Sequence, residues 1–339
     1  MVLPELNTRT PATVQLLPQF GQDGAPCIAV VIKQRFSVVR IGHVRREGGA
    51  QVRRVDELWE PEAEQSSIRR PADVGLRKPS TDVVVAGSAM AVHGEPTKVL
   101  DVSVRVGPVG KRLRVFGTRV WYPGVVGLSL TAPQPFQEVP LRWELAYGGL
   151  DTSNPRKLAH EPRNPLGRGV VADADSLKHK PAPQIEDPSD LISSVRSRPT
   201  PAGVGAIGPQ FEPRLRLAGT YDDRWQKERM PLPPLDFDER YRNVAAPGLV
   251  CPSYLTGGEL VEVEGMSESG QLRFELPKLF FGVVAVTAQG DVEHRPVLDT
   301  VLLEPNERRF ELTWRSVVPV PKRARELSAI NVFEKERLS

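Results

Sequence analysis

Residues 139–169 read VPLRWELAYGGLDTSNPRKLAHEPRNPLGRG, and the class of the fold turns on how they are read. The first nine alternate, with Leu141, Trp143, Leu145 and Tyr147 on one side of an extended chain and Arg142 and Glu144 on the other. A period of two with a heavy aromatic load predicts a half-buried β-strand over 139–147. Gly148-Gly149, free to take positive φ, predicts the turn that closes it. Asn154-Pro155 and Asn164-Pro165 each predict a bend, because proline fixes its own φ and pushes the residue before it out of the α region. Gly167-Arg168-Gly169 then sets one guanidinium between two permissive positions. The whole segment reads as a shaped polar loop carried on a rigid strand.

Outward from this stretch the same period recurs. The β-branched run 27–39 predicts a central strand, and 82–85 another. In 98–106, Leu100, Val102, Val104 and Val106 face one way, with Asp101, Ser103 and Arg105 opposite. Gly107-Pro108-Val109-Gly110 predicts a turn into a returning strand at 111–116, and Trp121-Tyr122-Pro123-Gly124 closes that unit. Strand patterns return at 259–264, 271–276 and 279–286. The clearest hairpin joins 299–303 to 309–315 through Glu304-Pro305-Asn306-Glu307, with Pro at its favoured second position. Val301 and Leu303 would then pack with Phe310, Leu312 and Trp314.

Between these halves the pattern lapses. Residues 172–213 carry seven prolines, and there we expect an irregular excursion with a short helix at 190–195, docked through Val204, Ile207 and Phe211. Residues 218–246 are also loop-rich; one or two helical turns are expected at 222–229, with Asp222 as N-cap and Pro231, Pro233 and Pro234 ending them. A charged terminal helix is expected at 322–330, and no fixed-period repeat is visible. The expectation is a mainly β protein: β-sandwich-like antiparallel sheets with long ordered loops and a few short helices. Its organisation would be an N-terminal extension (1–26), one β-rich domain (27–320) with a loop-rich insertion about 150–246, and a C-terminal helix or tail (321–339).

Composition agrees. The 33 prolines in 339 residues are about twice the usual share of roughly 5%, which argues against a helical bundle. Basic and acidic residues nearly balance, 45 against 42. Lys33, Arg35, Arg40, Arg45, Arg46, Arg53 and Arg54 precede Asp56, Glu57, Glu60, Glu62 and Glu64, and such adjoining blocks suggest pairing within the molecule over a nucleic-acid partner. Cys27 and Cys251 stand alone, which excludes a disulfide framework and a cysteine zinc site. The opening lacks the pattern of a secretory signal, and the longest apolar run, LFFGVVAV at 279–286, is too short for a bilayer. The expectation is a soluble cytoplasmic protein without a membrane partner.

Chemical motifs are sparse. His43, His93, His160, His179 and His294 show no metal-site spacing; His160 and His179, which flank the central loop, read as solvated. There is no nucleophile elbow, phosphate loop or dinucleotide fingerprint, and no cofactor is expected. Gly203-Val204-Gly205 follows a proline-rich stretch in place of the strand that a nucleotide loop needs. Asp236-Phe237-Asp238-Glu239, with Asp222-Asp223 upstream, offers carboxylates for glycoside hydrolysis. Alternatively these residues cap turns and pair with Arg224, Arg240 and Arg242, the reading preferred here because acidic turn residues are common. Trp143 and Trp314 sit in alternating patterns and read as core, whereas Trp225 lies in a charged loop and reads as a contact residue. The candidate partner-binding or loop-organising residues are Trp143, Tyr147, Gly148, Gly149, Asn164, Gly167, Arg168 and Gly169 centrally, with Tyr221, Asp222, Trp225, Asp236 and Asp238 later in the chain.

Several stretches together carry a resemblance: KPSTDVVVAGSA (78–89), RWELAYGG (142–149) with NPLGRG (164–169), PAGVGAIGPQFEPRLRLAGTYDDRWQKERMPLPPLDFDERYRNVAAP (201–247) and LDTVLLEPNERRFELTWR (298–315). They resemble a bacterial family long catalogued as a domain of unknown function, whose members are typically encoded beside type VI secretion spike proteins and toxic effectors. The resemblance implies an effector adaptor or chaperone that helps load its cognate effector onto a spike of the valine-glycine-repeat (VgrG) type. It brings no catalytic residues with it. One departure is Val204, where that family's pattern leads us to expect PAGFG-like text followed by an aromatic; local packing should differ there. The alternatives are a carbohydrate-active hydrolase using Asp236, Asp238 or Glu239 near Trp225, and a structural part of the secretion apparatus.

Overall fold

The computed structural model describes residues 3–62, 64–125, 127–320 and 327–335. Its main strands, in chain order, begin with β1 (Glu5–Arg9), β2 (Thr13–Phe20), β3 (Pro26–Arg40), β4 (His43–Glu47), β5 (Asp82–Val85), β6 (Val99–Val106) and β7 (Val109–Phe116). The middle of the chain adds β8 (Tyr147–Asp151), β9 (Ala159–Glu161), β10 (Arg168–Gly169) and β11 (Ile185–Glu186). The last part supplies β12 (Leu260–Glu264), β13 (Gln271–Glu275), β14 (Phe281–Thr287), β15 (Gly290–His294), β16 (Val297–Glu304), β17 (Arg309–Pro319) and β18 (Leu327–Glu334). The fold is mainly β, with few and short helices.

The largest sheet runs β2-β3-β17-β16-β5, and β4 also pairs with β3. Its members are antiparallel except for the parallel pair β16–β5. Both faces of β3 are buried along most of its length, which suits a β-branched run flanked by neighbours on both sides. The predicted hairpin is present, with Val301 opposite Leu312 and Leu303 opposite Phe310. Phe310 stacks on Phe36, ring centroids 5.0 Å apart, and on Phe274 of β13 at 4.7 Å. Trp314 meets Phe281 of β14 edge-on at 4.9 Å. This face is therefore covered by two further sheets, β11-β7-β6-β12-β13 and β1-β18-β14-β15, whose residues join it in one continuous hydrophobic core. The stacked sheets bear out the sandwich-like expectation.

The opposite face of β3 and β17 carries charge in the interior. Lys33 and Glu311 are almost fully buried. Lys33 Nζ lies 2.6 Å from Asp73 Oδ2 and 3.1 Å from Glu311 Oε2, and Arg53 and Arg35 each donate to Glu311. Pairing within the molecule is thus extensive. The basic residues mostly find carboxylates from distant segments, however, and not the adjoining acidic run; Arg46 pairs with Glu334, for example.

Three local expectations are corrected. At 190–195 there is no helix, because side chains bind the backbone there: Asp190 accepts from the Thr200 N–H, Glu186 from the Ile192 N–H and Asp187 from the Ser189 N–H. A short 3-10 turn sits instead at Ala174–Leu177, capped by Asp173. At the C-terminal end, 327–330 belong to β18, which lies between β1 and β14 with Ile330 and Val332 buried; 321–326 and 336–339 lie outside the described residues. The turn between β6 and β7 is only Gly107-Pro108, so Val109 and Gly110 already belong to the returning strand. Among the described residues no helix is long and apolar enough to cross a membrane.

Candidate partner-binding surface

The stretch 139–169 buries the side chains that alternation assigns inward: Leu141, Trp143, Leu145 and Tyr147 are all at most 6% exposed. It is not one strand. A short strand, Glu138–Pro140, pairs with Ser88–Met90; a 3-10 turn follows over Trp143–Leu145; the chain then extends again as β8. Side chains replace the ladder across the break. Glu144 accepts from the N–H and the hydroxyl of Ser67, both at 2.7 Å. Asn164 Nδ2 donates to Trp143 O at 2.9 Å and to Tyr147 O at 3.0 Å.

Nor do Gly148 and Gly149 form the expected turn. They lie inside β8, which is antiparallel to β9 and parallel to β10. They are glycines because the Asn164–Gly167 bend presses against them: a Cβ at Gly148 would stand 2.2 Å from Asn164 O, and one at Gly149 2.7 Å from Gly167 O. Arg168 is half-buried, and its Nε donates to Glu144 O at 2.8 Å. Gly169 ends the set at φ 100°, with Pro183 and the Tyr147 ring close by. Trp143 donates its indole N–H to Ala206 O at 3.1 Å and lies so close to Gly203 that a Cβ there would meet the ring at 2.9 Å. Gly203-Val204-Gly205 is thus the floor beneath a tryptophan, and Val204 is itself buried. The structure draws the eight central candidates together into one packed unit that organises the loop.

The later candidates form a second unit. Helix α1 spans Asp223–Glu228; Asp222 caps it, Oδ1 accepting from the Trp225 N–H at 2.8 Å. Trp225 is half-buried, donates to Leu232 O at 2.8 Å, and packs edge-on against Tyr221 at 4.6 Å. Asp236 accepts from the Thr220 N–H and hydroxyl, which hold its carboxyl below the usual range. Asp238 caps a 3-10 turn over Glu239–Arg242, and its hydrogen bonds from Arg240 lower it as well. Glu239 pairs with Arg242, while Arg224 pairs with Glu228 and not with the DFDE segment. The capping reading therefore describes these carboxylates, and both shifted groups are displaced towards the anion.

This unit is fastened to the β2–β3 turn: Arg229 donates to Gln22 O, and Gln22 Nε2 donates to Pro234 O. Among charged neighbours such as Arg224 and Glu228 it also exposes large apolar side chains: Leu215 is 50% exposed, Tyr221 57%, Met230 61% and Leu235 77%. A hollow of about 350 Å³ is lined by Thr220, Asp222, Trp225, Arg229, Leu235 and Asp236. Sequence reasoning found Tyr221 and Trp225 but passed over Leu215, Met230 and Leu235. The available signal was Met230-Pro231-Leu232-Pro233-Pro234-Leu235, apolar residues held among prolines without any strand or helix period. Among the described residues no cluster of histidine, cysteine and carboxylate side chains is arranged to hold a metal.

No curated protein and no solved structure matches the chain. Residues 23–315, most of the sequence and all of the unit around α1, match a family described as an uncharacterised protein conserved in bacteria, DUF2169, and the chain belongs to that family.

Proposed function

We propose that the protein is a non-enzymatic adaptor or chaperone of the bacterial cytoplasm, which binds a type VI secretion effector and helps load it onto a VgrG spike. The observation that carries this reading is the apolar surface of the α1 unit, where Leu215, Tyr221, Met230 and Leu235 are displayed on an ordered loop fixed to a β framework. Large apolar side chains left exposed within one short ordered segment are candidates for contact with a partner. Loops already held by caps and indole hydrogen bonds give up little conformational freedom when a partner docks. Such a surface covers apolar parts of a client until the spike takes them over. The motif resemblance supplies the secretion context.

Co-expression with the effector tests the reading. The effector should be mostly soluble and spike-associated with the wild-type chain, and should lose most of both in its absence. An effector equally soluble and equally loaded without it would refute the proposal.

A further inference from the structure

A second surface lies where β14 and β15 separate from β16. A groove of about 930 Å³ is floored by Leu279, Phe280, Phe281, Leu298 and Trp314. Phe280 is 42% exposed, unusual for a phenylalanine beside a core strand. A neighbouring hollow shares Glu293 and Arg295 with the groove and adds Arg77 and His294. Of the two carboxylates that line these hollows, Glu293 is already paired with Lys335 and Glu239 with Arg242. Arg77 and Arg295 are exposed, and neither has an ion pair among the described residues; the Arg77 guanidinium lies 5.9 Å from the Tyr254 ring centroid. Positive charge is therefore left over at one end of an apolar channel. The channel also borders β15, an edge strand that among the described residues pairs only with β14, and its last residues Glu293 and His294 line the two hollows. An unpaired strand edge beside an apolar floor is suited to an added extended peptide.

We propose that this groove receives an extended peptide of a partner protein, with apolar side chains on the floor and a carboxylate at the Arg77–Arg295 end. Apolar floor, strand edge and surplus arginines each select one property of that peptide. The groove shares no lining residue with the hollow beside α1, and the inference does not depend on the secretion reading.

Two random dodecapeptide display libraries, one with a free and one with a blocked C-terminus, provide the test. Selected peptides should combine apolar residues with a carboxylate. Enrichment confined to the free-terminus library would assign the carboxylate to the chain end; enrichment in both would assign it to Asp or Glu. Affinity should fall at least tenfold in Arg295→Gln and in Phe280→Ser, both exposed positions, with thermal unfolding unchanged; Arg77→Gln serves as a second charge variant. No enrichment over a serum albumin control, or selected peptides that bind all variants equally, would overturn the proposal.

Discussion

Asn164 has no exposed surface, yet its side chain holds together a segment that contains no continuous strand. Its side-chain amide N–H donates to two carbonyls, and its backbone carbonyl accepts from the N–H of Gly149 at 2.8 Å. Asn164→Ala removes both side-chain bonds and leaves Tyr147 O without its side-chain donor, while Trp143 O keeps the Ala146 N–H; it should cost about 1–3 kcal/mol, read as a lower urea midpoint with unchanged slope. Gly148→Ala should be worse, since the added Cβ meets backbone that cannot yield. The bend at Asn164-Pro165 was legible from proline alone. The donor role was not, because the acceptors lie 21 and 17 residues earlier in the chain. Glu311 was equally hidden. Burial alone would raise its carboxyl, but Lys33, Arg53 and Arg35 overcome that and hold it at about 2, against an ordinary 4.5. A carboxyl lowered on folding stabilises the protein fully above its unfolded value, and this contribution is lost as pH falls from about 4.5 towards 2. Glu311→Gln should therefore cost about 3–5 kcal/mol at neutral pH and show a shallower loss of stability over that acid range.

At the scale of elements, α1 shows what local signals carry. An aspartate cap, a short polar run and a proline stop are all sequence-local, and the helix lies within one residue of its expected limits at each end. Asp222→Ala should cost about 1 kcal/mol and be felt locally, as faster hydrogen exchange at the Trp225 amide, its partner. The strand expected over 139–147 failed for the opposite reason. Its inward side chains were legible in the alternation, whereas the break depends on Ser67 and Asn164, which no local pattern announces. The segment 327–330 likewise follows its sheet: β1 and β14 flank the gap that β18 fills, and tertiary pairing overrides helix-like charge spacing.

On the scale of the whole molecule, alternation was enough to predict stacked sheets, because every inward face had to find an apolar partner. It did not reveal the buried ionic face of β3 and β17, where Lys33 and Glu311 alternate like surface residues yet are covered by the chain carrying Arg53 and Asp73. Nor did it reveal the apolar display around α1, since exposure in a loop has no period. That display is the basis of the adaptor reading, and it is tested most directly by affinity capture from the native host with quantitative mass spectrometry. The wild-type chain and a Tyr221→Ala/Leu235→Asp variant of matched stability should be compared. We expect one dominant toxin-like partner with the wild type, reduced at least tenfold with the variant. No partner from cells shown to express the effector, or a partner retained equally by the variant, would contradict the account.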